Sequence, residues 1–209
     1  MEKLALRLFF GFDAIMVFIS AFIALSIGYY AGKAFKITSE RLLLYLNLSF
    51  SILGVGLLTD GLTAVYAYTS IVLKHPSAIR LILMVGNWIL SIAEIVAFSL
   101  LVYVYIKQSF LSVGGFVFAP LIFKAYNPIA EMILIFLLGY ITIQALTNYS
   151  IRKETNSMLV FLGFILMLIS HIFFFLTSIW ALSYILAHTF QLAGFLSLLT
   201  MLIRVNKKE

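Results

Sequence analysis

The stretch from Thr155 to Ile203 contains no Asp, Glu, Lys or Arg residue. A helix crosses the hydrocarbon core of a bilayer in about 20 residues, so this stretch is long enough for two crossings and has to turn once. We expect the turn around residues 177–183. The chain as a whole is also apolar and poor in charge. Of its 209 residues, 64% are hydrophobic and 11% are charged, whereas soluble domains carry about 25% charged residues. The sequence therefore predicts an all-α, polytopic protein of the cell membrane, surrounded by the lipid bilayer.

Charged residues and prolines mark most boundaries of the predicted spans. We predict a single domain, residues 1–209, with about seven transmembrane helices. Their approximate bounds are 8–32, 39–70, 78–106, 110–124, 128–150, 156–178 and 182–204. The first span is too long for a signal peptide and lacks a small-residue cleavage site, so we interpret it as a helix. The fourth span is short and contains Gly and Pro residues, which leaves a count of six as the alternative if it is re-entrant.

The positions of the basic residues predict the orientation. Most of the 14 Lys and Arg residues fall on the side of the C-terminus in this topology. Cytoplasmic loops are enriched in Lys and Arg, so we expect the C-terminus in the cytoplasm and the N-terminus outside. Because the basic residues lie at helix ends, the net charge of +6 does not indicate nucleic-acid binding. The absence of cysteine excludes disulfides and thiolate metal sites.

Polar side chains recur on one face of two predicted spans. In the third span they are spaced at i, i+4 and i+7, and the last span repeats this spacing. Together with an acidic residue in the first span and a histidine in the sixth, they predict a polar pocket that opens to the outside. Its predicted members are Asp13, Asn87, Ser91, Glu94, His171, Tyr184, His188 and Gln191.

The distance of each residue from its helix end predicts how deep it lies in the bilayer. His171 and His188 lie about two turns on either side of the predicted turn, so we expect both imidazoles at a similar depth in the outer half of the bilayer. Asp60 and Glu131 lie nearer helix ends, and we expect water at the membrane interface to solvate them.

The two histidines are open to three interpretations. They hydrogen-bond to each other and hold two helices together, they line a ligand pocket without metal, or they ligate a divalent metal or haem. Retinal is excluded as a cofactor, because no lysine lies midway along the last span to form a Schiff base. The sequence contains no catalytic motif in a usable context, so we do not expect an enzyme.

Small residues form a ridge on the first span. Ala24, Gly28 and Gly32 recur at intervals of four, a spacing that allows another helix to approach closely. The ridge is consistent with packing inside the chain and with self-association or a protein partner.

The last two spans carry a pattern of polar and small residues: Ser170-His171, Tyr184, Ala187-His188, Gln191-Leu192, Gly194-Phe195-Leu196 and Leu202-Ile203-Arg204-Val205. This pattern resembles the last two helices of seven-helix membrane sensor modules in archaeal signalling proteins. The predicted topology is similar to that of microbial rhodopsins and G-protein-coupled receptors. The resemblance implies that His171, His188 and Gln191 belong to a sensing pocket. A cytoplasmic output domain follows those modules, whereas here the tail after the last span is short, so we expect a separate partner to carry the output.

The leading prediction is a stand-alone, receptor-like sensor that signals when a small ligand or a proton shifts the packing of the last two helices. One alternative is an accessory or substrate-binding subunit of a membrane transporter or redox complex. A third is a haem- or metal-binding membrane protein.

Overall fold

Six α-helices make up the part of the chain that the computed structural model describes, which is residues 2–72, 79–108, 128–177, 179–180 and 182–207. They are α1 (Glu2–Thr38), α2 (Arg41–Val72), α3 (Ile79–Gln108), α4 (Pro128–Arg152), α5 (Thr155–Leu176) and α6 (Leu182–Lys207). All six are long and apolar enough to cross a membrane. The protein is thus an all-α, multi-pass membrane protein, as predicted. The predicted fourth span, at about 110–124, lies outside the described residues.

The helices extend further than the charged residues suggested. The first span was expected to end at residue 32, yet α1 continues through Lys33 and Lys36 to Thr38. The second span was predicted at about 39–70, and α2 runs from Arg41 to Val72 with Asp60 and Gly61 inside the helix. A charged side chain marks where the membrane ends rather than where the helix ends, because long basic side chains reach into the headgroup region from a continuing helix.

Two short turns show how the chain reverses. Ser39 follows α1 and Lys153 follows α4, and both have a positive φ, of 57° and 52° respectively. In each case the backbone N–H of this left-handed residue donates to a carbonyl four residues earlier, Phe35 O and Tyr149 O, at 2.8 Å. This ends the helix and turns the chain back. Consequently α1 and α2 are antiparallel, and so are α4 and α5.

Contacts between distant residues give the remaining directions. Near the start of α6, the hydroxyl of Tyr184 donates to Asp13 near the start of α1. Near the end of α6, Asn206 Nδ2 donates to Tyr30 O in the second half of α1 at 3.1 Å. These two contacts make α1 and α6 parallel. We call the end of the bundle where α1 begins the upper end and the other the lower end.

The two remaining neighbour pairs are also antiparallel. For α2 and α3, a Cβ on Gly56 would meet Ala93 and a Cβ on Gly86 would meet Thr63. For α5 and α6, Ser183 Oγ donates to Thr177 Oγ1 and Ser197 Oγ donates to Leu159 O.

It follows that α1, α3, α4 and α6 all begin at the upper end, while α2 and α5 begin at the lower end. The helices pack as a closed ring in chain order, with the largest interfaces inside two units of three, α1–α3 and α4–α6. Between these units α3 and α4 are parallel, so Gln108 and Pro128 lie at opposite ends of the bundle. The start of α1 and the end of α6 also lie at opposite ends.

The lower part of the ring is filled by apolar side chains, and the outer surface is apolar as well. Phe50 of α2 and Phe195 of α6 meet edge to face with ring centroids 5.8 Å apart, and both are buried. Large apolar side chains such as Phe22 and Phe136 point outward, with 65% and 75% of their surface exposed. A surface of this kind is stable in lipid rather than in water.

The small-residue ridge on α1 packs against α2 of the same chain. Ala24 is completely buried, and a Cβ on Gly28 would lie 2.8 Å from Ser51 Oγ. A Cβ on Gly32 would lie 2.8 Å from Asn47 Nδ2, and this amide donates to Gly28 O at 2.8 Å. The ridge is therefore occupied within the chain and is not available as a surface for self-association or for a partner.

Candidate functional site

A cavity of about 130 Å³ lies in the upper half of the ring, between the units α1–α3 and α4–α6. Every described helix contributes at least one side chain to it. The lining residues are Val17, Leu57, Asp60, Asn87, Leu90, Ser91, Glu94, Glu131, His171, Phe174, Thr177, Tyr184, His188 and Gln191. The wall thus contains three carboxyl groups and two imidazoles, inside a protein whose outer surface is apolar.

One histidine of the cavity is paired with a carboxylate. His171 of α5 has its Nδ1 atom 2.9 Å from Glu131 Oε2, and the imidazole is almost completely buried. Glu131 follows Pro128 in the first turn of α4, where the partial positive charge of the helix N-terminus stabilises a carboxylate. Phe98 meets the imidazole edge to face, with centroids 6.1 Å apart. These contacts fix His171 in one orientation.

The other histidine forms no hydrogen bond within the described part of the chain. His188 of α6 is only 4% exposed, yet neither of its ring nitrogens has a hydrogen-bond partner there. Its Nε2 atom lies 3.6 Å from Asp13 Oδ1, and that carboxylate accepts the hydroxyl of Tyr184. An unsatisfied buried polar group costs about 1–3 kcal/mol. In a cavity wall, such a group is suited to a hydrogen bond with a bound molecule.

One aromatic side chain contacts both imidazoles. Phe174 has its ring centroid 5.8 Å from that of His171 and 5.0 Å from that of His188. The interpretation that the histidines hydrogen-bond to each other is therefore wrong, since His171 bonds to Glu131 and His188 has no hydrogen-bond partner. Within the described ranges, no three His, Asp or Glu side chains are arranged to hold a metal ion.

The structure brings the predicted pocket residues together. Those of the third and last predicted spans (Asn87, Ser91, Glu94, Tyr184, His188 and Gln191) all line the cavity, and His171 faces it from α5. Asp13 lies just behind the wall, in contact with Tyr184 and His188. The helical spacing of the polar residues was the signal that located them. Whether they bind a ligand stays a prediction.

Two cavity residues were expected elsewhere. Asp60 and Glu131 were predicted to be solvated at the membrane interface, but both line the cavity, and the side chain of Glu131 is 17% exposed. The prediction from the distance to a helix end was wrong for both residues. After Asp60, α2 continues beyond the cavity, and α4 begins beside the cavity, close to Glu131. A comparison of depths would have placed Glu131 beside His171. Glu131 is the fourth residue of α4, and His171 lies about as far from the end of α5, so the two residues have a similar depth in the bundle.

The chain matches no known protein family, no curated protein and no solved structure. Its function has to be argued from the site itself.

Proposed function

We propose that this protein is a receptor-like membrane sensor that binds a small polar ligand in the cavity and passes the signal to a separate partner protein. The observation that carries the proposal is a cavity lined by all six described helices and by several ionisable groups, in which the buried imidazole of His188 has no hydrogen-bond partner among the described residues. A purely structural histidine would be expected to have its hydrogen bonds satisfied inside the protein.

The position of the cavity suggests how binding would change the structure. Below the cavity, α5 and α6 are locked together, since a Cβ on Gly194 would lie 2.8 Å from Gly163 O and Ser197 Oγ donates to Leu159 O at 2.8 Å. Sliding of α5 against α6 is therefore unfavourable. In our proposal the ligand instead changes the angle between the two three-helix units, whose shared seams are smaller than the interfaces inside them. This is a rigid-body transition of the kind that switches many proteins.

We also infer that the chain crosses the membrane seven times, with the upper end outside. Gln108 and Pro128 are at opposite ends of the bundle, so the chain has to return from one end to the other between them. Among the residues whose side chains are described, the lower end has eight exposed basic residues and the upper end has Arg80. Those at the lower end are Lys33, Lys36, Arg41, Lys107, Arg152, Lys153, Arg204 and Lys207. By the positive-inside rule this end faces the cytoplasm, which places the cavity in the outer half of the bilayer.

The lack of cysteine makes the orientation simple to test. Ile179, in the α5–α6 connection, is 82% exposed at the upper end, and Ser150 is exposed at the lower end. We expect a membrane-impermeant maleimide to label Ile179→Cys on intact cells and Ser150→Cys only after permeabilisation. The opposite pattern would place the lower end outside, and labelling of both positions on intact cells would contradict a membrane crossing by α5, which separates them in the chain.

Ligand binding is tested by filling the cavity. Ser91 is part of the wall, so a Ser91→Phe side chain would occupy much of the space, whereas Ser150→Phe adds the same ring on the exposed lower end. We expect at least one small polar compound from a library to raise the melting temperature of the detergent-purified wild type and of Ser150→Phe but not of Ser91→Phe. If no compound does so, or if the effect survives in Ser91→Phe, the proposal is wrong.

A further inference from the structure

The charges in the cavity wall do not balance. Carboxyl groups come from Asp60, Glu94 and Glu131, and that of Asp13 lies just behind the wall. No Lys or Arg is present among the described lining residues. The only groups there that can become cationic are two imidazoles, and each of them already faces a carboxylate of its own.

Two carboxyl groups are therefore left without an ion-pair partner among the described residues. Neither Asp60 nor Glu94 forms an ion pair with another residue in the described part of the chain, and Glu94 is 95% buried, its exposed fraction being 5%. They belong to α2 and α3, whereas both histidines belong to the other unit, α4–α6. An ionised carboxylate inside a membrane protein is costly unless a positive charge accompanies it. A cation in the cavity would supply that charge, whereas an anion would be repelled.

Other groups in the wall favour an organic cation over a metal ion. His188, when neutral, offers a ring nitrogen that can accept an N–H bond, and neither of its nitrogens has a hydrogen-bond partner. The faces of aromatic rings also attract cations, and Phe174 and Tyr184 are both part of the wall. These groups complement an ammonium group attached to a short carbon chain.

The volume limits the size of such a molecule. An apolar cavity of about 150 Å³ holds benzene, which has six heavy atoms, and this cavity measures about 130 Å³. We propose that the ligand is a small protonated amine of about four to six non-hydrogen atoms, held between Asp60 and Glu94 on one side and His188 on the other. This inference rests on the proposed function, since it names the chemical class of the ligand for the same cavity.

Three probes of nearly equal shape test the charge. Propylammonium, propionamide and propionate are cationic, neutral and anionic, and each is added to the purified full-length protein at constant ionic strength. We expect only propylammonium to raise the melting temperature, as a ligand that binds the folded state must. The shift should disappear in an Asp60→Asn/Glu94→Gln double variant and persist in the control Glu154→Gln, which removes an exposed carboxylate at the lower end.

The other outcomes overturn the inference in distinguishable ways. A shift with propionamide or propionate that Ser91→Phe abolishes would show that the cavity binds a ligand of a different class, so the proposed function would stand and the inference would fail. An equal shift with sodium chloride in place of propylammonium would assign the site to an inorganic cation. If none of the probes gives a shift, the inference fails as well.

A second measurement does not depend on the stability of the double variant. A single cysteine at Ser91→Cys can react with methanethiosulfonate reagents that carry either an ethylammonium or an ethylsulfonate group. We expect the cationic reagent to react at least about tenfold faster relative to its rate with a free thiol, because the carboxylates concentrate cations in the cavity. Asp60→Asn in the same background should reduce this ratio. Equal rates for the two reagents would contradict a cation-selective cavity.

Discussion

The contact between α5 and α6 makes a quantitative prediction about Gly194. A Cβ at this position would lie 2.8 Å from Gly163 O and 2.8 Å from Met167 Cγ. The methionine side chain can move, but the carbonyl is part of a helix, so the two helices have to separate. An ordinary contact begins at 3.4 Å, and the separation needed is therefore about 0.6 Å, within the range over which packed atoms lose a quarter to a half of their attraction.

The cost of Gly194→Ala can be estimated from this movement. If the crossing contains about as many atom contacts as one buried Leu side chain, the loss of dispersion is about 2 kcal/mol. The hydrogen bond from Ser197 to Leu159 O, now 2.8 Å, would lengthen as well, and interhelical hydrogen bonds in membranes average about 0.6 kcal/mol. The higher helix propensity of alanine offsets about 1 kcal/mol of this loss of stability. The expected net effect is a loss of about 1.5 kcal/mol of stability.

The matched control is Gly139→Ala in α4. A Cβ at Gly139 would meet no atom within 4 Å, so only the helix propensity changes and stability should rise by about 0.5–1 kcal/mol. Both variants are unfolded with sodium dodecyl sulfate in mixed micelles and followed by circular dichroism. If Gly194→Ala is as stable as Gly139→Ala, α5 and α6 are not in the close contact described, and the argument that they move as a unit fails.

Two further predictions concern polar groups inside the bundle. His171→Phe should lower stability in mixed micelles by about 1–3 kcal/mol, because it leaves Glu131 without its partner. The loss for His188→Phe should be smaller, because no described residue hydrogen-bonds to that ring and Asp13 keeps the hydroxyl of Tyr184. Equal losses would show that His188 is satisfied inside the protein. Asn47→Ala should cost about 0.6–1.7 kcal/mol by removing the hydrogen bond that joins α2 to α1, while the exposed Asn148→Ala should change stability by less than about 0.5 kcal/mol. An Asn47→Ala value as small as that of Asn148→Ala would contradict a contribution of this hydrogen bond.

Much of the fold could be predicted because the bilayer imposes simple rules. Length and hydropathy located the six spans that the structure describes, and helical periodicity placed Asn87, Ser91 and Glu94 on the face that lines the cavity. The same periodicity selected Tyr184 and His188. These predictions require only that polar groups avoid lipid and that a helix repeats every 3.6 residues.

What could not be predicted depends on which helices are neighbours. The spacing of Gly28 and Gly32 shows that another helix can approach α1 closely. That this helix is α2 follows only from the arrangement of the helices in the ring. The pairing of His171 with Glu131 requires α4 beside α5 and a start of α4 at the level of the cavity. The contact of Phe174 with both histidines depends on side-chain orientations that sequence spacing does not encode.

The shared direction of α1, α3, α4 and α6 has an electrostatic consequence. Each helix carries about half a negative charge at its C-terminus, so four such poles lie at the lower end and only those of α2 and α5 lie at the upper end. The four helices that end at the lower end have Lys36, Lys107, Arg152, Arg204 and Lys207 in their last turns, whereas α2 and α5 have no basic residue there. The basic residues that indicate the orientation in the membrane thus also neutralise the helix dipoles, and removing one of them would weaken the helix as well as the bias that orients the protein.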